Sequence, residues 1–257
     1  MYDSSRLAAS LMDAHRTGRL VAAPDAASAP PDYGSADAIQ SQVAIGLDRE
    51  IGGWKTALSP IGPIAGPIYE DLISRNNAER PAQAPPVTGI EIEFAFRLKP
   101  GMAGAAGATD AGDGIADILP AIDGLWVGIE LVASRYEPGG EVPFTAFLAD
   151  NMSNAGYVLG DPVDLARLRD FDRMTGRVAV DGAEVFSGPL IHGSGDPLAP
   201  LGACLRQRSP GFARRAPQAF ITTGNLCGLL AVRAPRRVEA WIRMPDGGEF
   251  GVACRFA

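Results

Sequence analysis

With 257 residues, the chain is long enough for one large domain, or for one domain with a small appendage. Its 23 Lys and Arg against 30 Asp and Glu give a formal charge of −7, which excludes the clustered positive surface that a nucleic-acid partner needs. No secretory leader and no bilayer-length apolar run is visible, so a cytoplasmic location without a membrane partner is the expectation. Cys204, Cys227 and Cys254 are odd in number and lack metal-like spacing, which predicts reduced thiols.

Residues 3–16 place Leu7, Leu11 and Met12 on one stripe and run into Gly18, which predicts a first helix. A connector rich in Pro and Ala covers residues 22–33. Residues 35–51 then predict a second helix, with Ile39, Val43 and Leu47 at four-residue spacing. The stretch 60–67 is too rich in Pro and Gly for either regular structure. Strands accumulate after about residue 81, so the chain divides into a helical N-terminal region, 1–78, and a strand-rich domain, 79–257. Residues 100–114 are nearly all Ala, Gly, Asp and Thr, the composition of a loop. Asp181-Gly182 between apolar runs predicts a two-residue hairpin, and Asp246-Gly-Gly248 turns a final one. Arg206, Arg208, Arg214 and Arg215 read as a solvated basic loop. The sequence shows no internal repeat.

Three glutamates stand out from this frame. Segment 89–96, Gly-Ile-Glu-Ile-Glu-Phe-Ala-Phe, reads as a strand on which Glu91 and Glu93 share one face and Ile90, Ile92, Phe94 and Phe96 the other. Segment 126–134, Trp-Val-Gly-Ile-Glu-Leu-Val-Ala-Ser, sets Glu130 among apolar neighbours. An unpaired buried carboxylate is expensive, so Glu130 must be protonated, paired with a cation such as a core arginine, or bound to a metal. Three carboxylates converging on one point would repel unless a hard divalent ion neutralised them. Spacing alone does not show that the two strands meet. Glu-x-Glu on the wet face of a strand is also common without a metal.

Five segments in order carry a resemblance. They are Gly53-Trp-Lys-Thr-Ala-Leu-Ser59, the Glu91-Ile-Glu93 strand, Gly128-Ile-Glu-Leu-Val-Ala-Ser-Arg-Tyr136, Leu148-Ala-Asp-Asn-Met-Ser-Asn-Ala-Gly-Tyr-Val-Leu-Gly160 and Ile221-Thr-Thr-Gly-Asn-Leu226. Together they resemble the 2-keto-4-pentenoate (2-hydroxypenta-2,4-dienoate) hydratases of the fumarylacetoacetate hydrolase superfamily. In that family the fourth segment reads Val-Ala-Asp-Asn-Ala-Ser-Ser-Gly-Phe-Val-Leu-Gly. The resemblance implies an α+β fold, with a small helical N-terminal part packed on a larger mixed β-roll. It implies Glu91, Glu93 and Glu130 as ligands of Mg²⁺ or Mn²⁺, with Lys55 and Asp150 as catalytic groups. Ser134, Arg135, Asn151, Thr223 and Gly224 would contact the substrate, a small 2-oxo or 2-hydroxydienoic acid. It also implies a dimer-based homo-oligomer, able to associate with a sister enzyme of the same pathway.

The function implied is a metal-dependent hydro-lyase that adds water to a 2-hydroxy-2,4-dienoate. Two alternatives stand beside it: a 2-oxo-3-hexenedioate (4-oxalocrotonate) decarboxylase, and a non-catalytic paralogue that binds a 2-oxo acid or a partner enzyme. Departures from the hydratase pattern bear on that choice. Pro67-Ile-Tyr69 replaces a turn in which many hydratases carry an aspartate, and Asp196 stands where the family has a histidine. His192 lies four residues upstream of that position, and His15 is expected on the surface of the first helix.

Overall fold

The computed structural model describes residues 2–60, 62–80, 85–100, 118–138, 141–207 and 219–257. Residues 101–114 of the expected loop, and Arg208, Arg214 and Arg215, lie outside this set. Helix α1, Ser4–Thr17, starts at Asp3, whose side chain accepts from the Arg6 amide, and stops at Gly18 in the left-handed region. Helix α2, Tyr33–Gly46, is capped in the same way by Asp32. It ends at Gly46 instead of continuing to Ile51. Asp48 is left-handed at φ 54°, which breaks the helical path, and Ile51 already opens the first strand.

Two sheets follow. The larger runs in the order β2-β1-β10-β5-β6-β7-β3. Its strands are β1 (Ile51–Ser59), β2 (Gly62–Tyr69), β3 (Ile73–Arg75), β5 (Gly89–Leu98), β6 (Ile122–Val132), β7 (Asn154–Pro162) and β10 (Phe220–Asn225), with β11 (Leu230–Ala231) also paired to β5. The smaller sheet has the order β4-β13-β12-β8-β9, from β4 (Ala78–Arg80), β8 (Thr175–Val180), β9 (Ala183–Pro189), β12 (Arg237–Arg243) and β13 (Glu249–Phe256). Both expected hairpins form, β8 with β9 and β12 with β13. Strands β1 to β3 fall within residues 1–78 and join the larger sheet, and β4, which begins at residue 78, joins the smaller.

Strand β2 corrects the reading of residues 60–67 as irregular. It pairs antiparallel with β1 from Ser59↔Gly62 through Trp54↔Pro67. Pro63 and Pro67 are four apart, so their missing N–H groups fall on the same side of the ribbon. As the last strand of the sheet, β2 has one side without a partner, where proline is tolerated.

Alternation along β5 sorts the faces. Ile90, Ile92, Phe94, Phe96 and Leu98 enter the main core between the sheets, together with Val127, Ile129, Val238, Ile242 and Val252. The sheets cross closely at Gly160, where a Cβ would lie 2.5 Å from the Val252 Cβ and 2.6 Å from the Gly251 carbonyl oxygen. The larger sheet curls, bringing Ile68 of β2 against Tyr157 and Leu159 of β7 and turning the opposite face of β5 inward. A second core joins the helices to the curled edge through Leu11, Ile39, Val43, Ile64 and Leu148. Buried Gln40 ties it together, donating to the carbonyls of Ala65 (3.2 Å) and Leu148 (2.6 Å). The fold is thus α+β, a helical layer on a mixed half-barrel. Among the described residues, no helix is long and apolar enough to cross a membrane.

Ile39 is fully buried where the helices meet the sheet. Ile39→Ala is expected to destabilise the protein by about 2–5 kcal/mol, the usual cost of such a core truncation. Chemical denaturation of the two proteins measures the difference.

Candidate active site

The inward face gathers the three glutamates. Strands β5 and β6 pair antiparallel with Glu91 directly opposite Glu130, and Glu93 opposite Gly128. One carboxylate oxygen from each residue lies within 4.8 Å of the other two. Glu93 and Glu130 are fully buried and Glu91 is partly exposed. Burial, then Glu130 and Glu91, push the Glu93 carboxyl well above its ordinary range. Burial likewise raises Glu130 against the pull of Lys55. Both Glu93 oxygens, and Oε2 of Glu130, are buried without a hydrogen bond among the described residues. Hard oxygen donors so clustered, and short of hydrogen bonds, fit a divalent ion of the Mg²⁺ or Mn²⁺ kind.

Lys55 enters from β1, which lies parallel to β10 and beyond β5. Its Nζ stands 2.7 Å from Glu130 Oε1 and 4.0 Å from Glu91 Oε2, and donates to the Met152 carbonyl at 3.2 Å. Burial opposes its charge, but Glu130, Glu91 and Glu93 together outweigh it and hold the ammonium form above the usual lysine range. Asn154 donates to Glu130 Oε1 at 2.9 Å, and Asn225 to Glu91 Oε1 at 3.1 Å. Neither asparagine was found from sequence. Asn225 is 134 residues from Glu91, and only strand register brings them together.

A strained turn carries the Asp150 region. After helix α3, Phe144–Ala149, the residues Asn151, Met152 and Ser153 have φ of 51°, 55° and 59°. Left-handed backbone costs about 1–2 kcal/mol per L-residue, so the turn must be held from outside. Arg135 holds it. The fully buried guanidinium donates to the Asp150 carboxylate, to the Asp150 carbonyl and, at 2.6 Å, to the Asn154 carbonyl. The Arg135 amide and the Ser134 hydroxyl close on Asp150 Oδ2 at 3.0 and 3.1 Å. Asp150, Ser134 and Arg135 are therefore engaged with one another. The turn aims the Met152 carbonyl at Lys55 and sets Asn151 Nδ2 3.0 Å from the Tyr69 hydroxyl, leaving Asn151 Oδ1 buried without a hydrogen bond.

His15, expected at the surface, packs edge-on against the Tyr69 ring at 5.7 Å. Burial, followed by the charges of Arg135 and Arg49, pushes its pKa down to about 2. Residue 15 lies on the side of α1 that meets the sheet edge, which helix periodicity alone left open.

On β10, alternation turns Thr222 to the inward face, where its hydroxyl lies near enough to Glu93 to favour the charged carboxylate, though short of good hydrogen-bond geometry. Thr223, the residue singled out from sequence, is the next along. Its carbonyl meets His192 Nε2 at 2.9 Å. The Ser194 amide donates to Nδ1, so a neutral ring protonated at Nε2 satisfies both contacts. Gly224 follows at φ 111°, and a Cβ there would lie 3.4 Å from that nitrogen. His192 thus buttresses the turn that returns Asn225 to Glu91.

By sequence, the chain matches no protein-family model and no curated protein. By structure, it shares the fold of solved 4-oxalocrotonate decarboxylase structures. Among solved structures it is similar to 4-oxalocrotonate decarboxylase from Pseudomonas putida G7 complexed with calcium and acetate, with a TM-score of 0.69, 20% identity, and coverage of 99% of this chain and 97% of that one. The same enzyme complexed with magnesium and adipate superposes with a TM-score of 0.70, at the same identity and coverage. Identity at this level establishes the fold.

Breaking the buried Arg135–Asp150 pair leaves a charge without its partner. Arg135→Met is expected to destabilise the protein by about 3–5 kcal/mol, with Arg135→Met/Asp150→Leu recovering part of the loss. Thermal and urea unfolding of the single and double variants test this.

Proposed function

We propose that this chain is a divalent-metal-dependent lyase acting on a small 2-oxo acid, with Glu91, Glu93 and Glu130 holding Mg²⁺ or Mn²⁺. The observation that carries the reading is the buried convergence of three carboxylates beside Lys55. When bound, the ion would supply a Lewis-acid sink for negative charge developing on the substrate's 2-oxygen. Lys55 stands where it can pair with the substrate carboxylate or move a proton at that oxygen. Asn151, held by Tyr69, keeps its side-chain oxygen buried without a hydrogen bond to a described residue. Asp150, Ser134 and Arg135 act by positioning that turn, in place of the catalytic and substrate contacts implied by resemblance.

Of the two reactions, decarboxylation of a 2-oxo-3-hexenedioate is favoured. The C5–C6 bond breaks, its electron pair passes through the conjugated system to the 2-oxygen, and CO₂ leaves. One proton on that oxygen completes 2-hydroxypenta-2,4-dienoate. Hydration also requires a proton at carbon and an activated water. The hydratase aspartate is replaced in Pro67-Ile-Tyr69, and the Asp150 carboxylate is held by Arg135. The likeness to a decarboxylase across 99% of the chain supports the same choice. Hydration remains the second reading, because the five ordered segments resemble hydratases.

Assays with added Mg²⁺ or Mn²⁺ should follow CO₂ release from 4-oxalocrotonate and water addition to 2-hydroxypentadienoate separately. CO₂ release is the expected activity; water addition alone would favour the hydratase. Glu93→Gln is expected to lower metal affinity and activity together, with much of the activity restored by excess metal. Lys55→Met should lose about 10²–10⁴-fold in turnover and keep that defect at saturating metal. Wild-type turnover in both variants would overturn the catalytic assignment.

A further inference from the structure

Tyr157 is buried in the wall of this site, yet its hydroxyl makes no hydrogen bond to a described residue. It stands directly opposite Glu130 across the β6–β7 pair, so both side chains rise from the inward face. From there the ring leans over β6 at Gly128. A Cβ on Gly128 would meet its Cε1 and hydroxyl at 2.3 Å each, so only glycine leaves room. Gly128 is the residue opposite Glu93 on the next strand. The hydroxyl is thereby carried across β6 toward Glu93, whose two oxygens are both buried without a hydrogen bond among the described residues. A phenol at its ordinary pKa carries its proton at neutral pH and is a hydrogen-bond donor.

We infer that Tyr157 is a positioning residue for the metal centre: its hydroxyl, unpaired with any described residue in this structure, is placed to donate to the Glu93 carboxylate once an ion is held, and so to fix the orientation in which Glu93 meets it. This rests on the metal reading of the three glutamates. A partner of this kind holds a ligand's rotamer and leaves its second oxygen free to coordinate.

The test is Mn²⁺ binding to the purified protein, measured by calorimetry and by the loss of the free-ion electron paramagnetic resonance signal. Tyr157→Phe removes one oxygen and keeps the ring over Gly128. Its Mn²⁺ affinity is expected to fall about 10–100-fold. The unfolding midpoint without added metal should not fall, because the hydroxyl makes no hydrogen bond to a described residue; a lower midpoint with unchanged affinity would mean a merely structural role and overturn the inference. In a Glu93→Gln background, Tyr157→Phe should cause a much smaller loss; a full, additive loss would show that the hydroxyl acts elsewhere. Wild-type Mn²⁺ affinity in Tyr157→Phe, with Glu93→Gln weakened, would reject Tyr157 and leave the metal reading standing. Failure of the wild-type protein to bind Mn²⁺ would remove both.

Discussion

Glu91 and Glu130 face each other across neighbouring antiparallel strands, with Glu93 buried beside them. Like charges directly opposed on a sheet destabilise it, and burial removes the water that would soften the repulsion. Much of the surrounding structure answers this conflict. Lys55 brings a positive charge from β1, Asn154 and Asn225 each cap one carboxylate, and Thr222 lies along Glu93. A small, highly charged ion would supply full relief, and the clustered carboxylate oxygens fit one.

The supports of the centre are themselves supported. Lys55 is steadied by the Met152 carbonyl, which lies in a left-handed turn that would not hold itself. Arg135 gathers the turn from both sides, on the carbonyls of Asp150 and Asn154, while Asn154 also reaches Glu130. A disturbance at Arg135 therefore reaches the carboxylates in two ways, through Lys55 and through Asn154. On the far side, His192 does similar work for the turn that leads to Asn225. Polar groups deep in the half-barrel thus form one connected arrangement, and deep networks of this kind tend to be all-or-none.

Much of this was legible in the chain. The alternation of Ile and Phe with Glu on β5 predicts the two faces that form, because a strand's period of two leaves no other choice. The hairpins at Asp181-Gly182 and residues 246–248 were equally local. Strand β2 was missed because Pro and Gly normally argue against strands, and only its place at the edge of the sheet makes them tolerable. Thr222 was passed over for its neighbour Thr223, since which of two adjacent threonines faces inward depends on pairing with β5, far away in sequence. Asn154, Asn225 and the packing of His15 against Tyr69 were hidden for the same reason. A residue's chemistry is written locally, but its partner is chosen by register.

The parallel pairing of β1 with β10 sets Lys55 level with Thr222 across most of the chain's length. During synthesis, the strand bearing Lys55 emerges long before its neighbour in the sheet. A parallel pair cannot close as a hairpin, so β1 must wait at the edge of a growing sheet until residues 220–225 arrive. The Asn225 hydrogen bond to Glu91 forms in that same late step. A nascent chain lacking β10 would offer an ion only loosely held carboxylates. A cation held by the three glutamates would favour the completed protein by mass action.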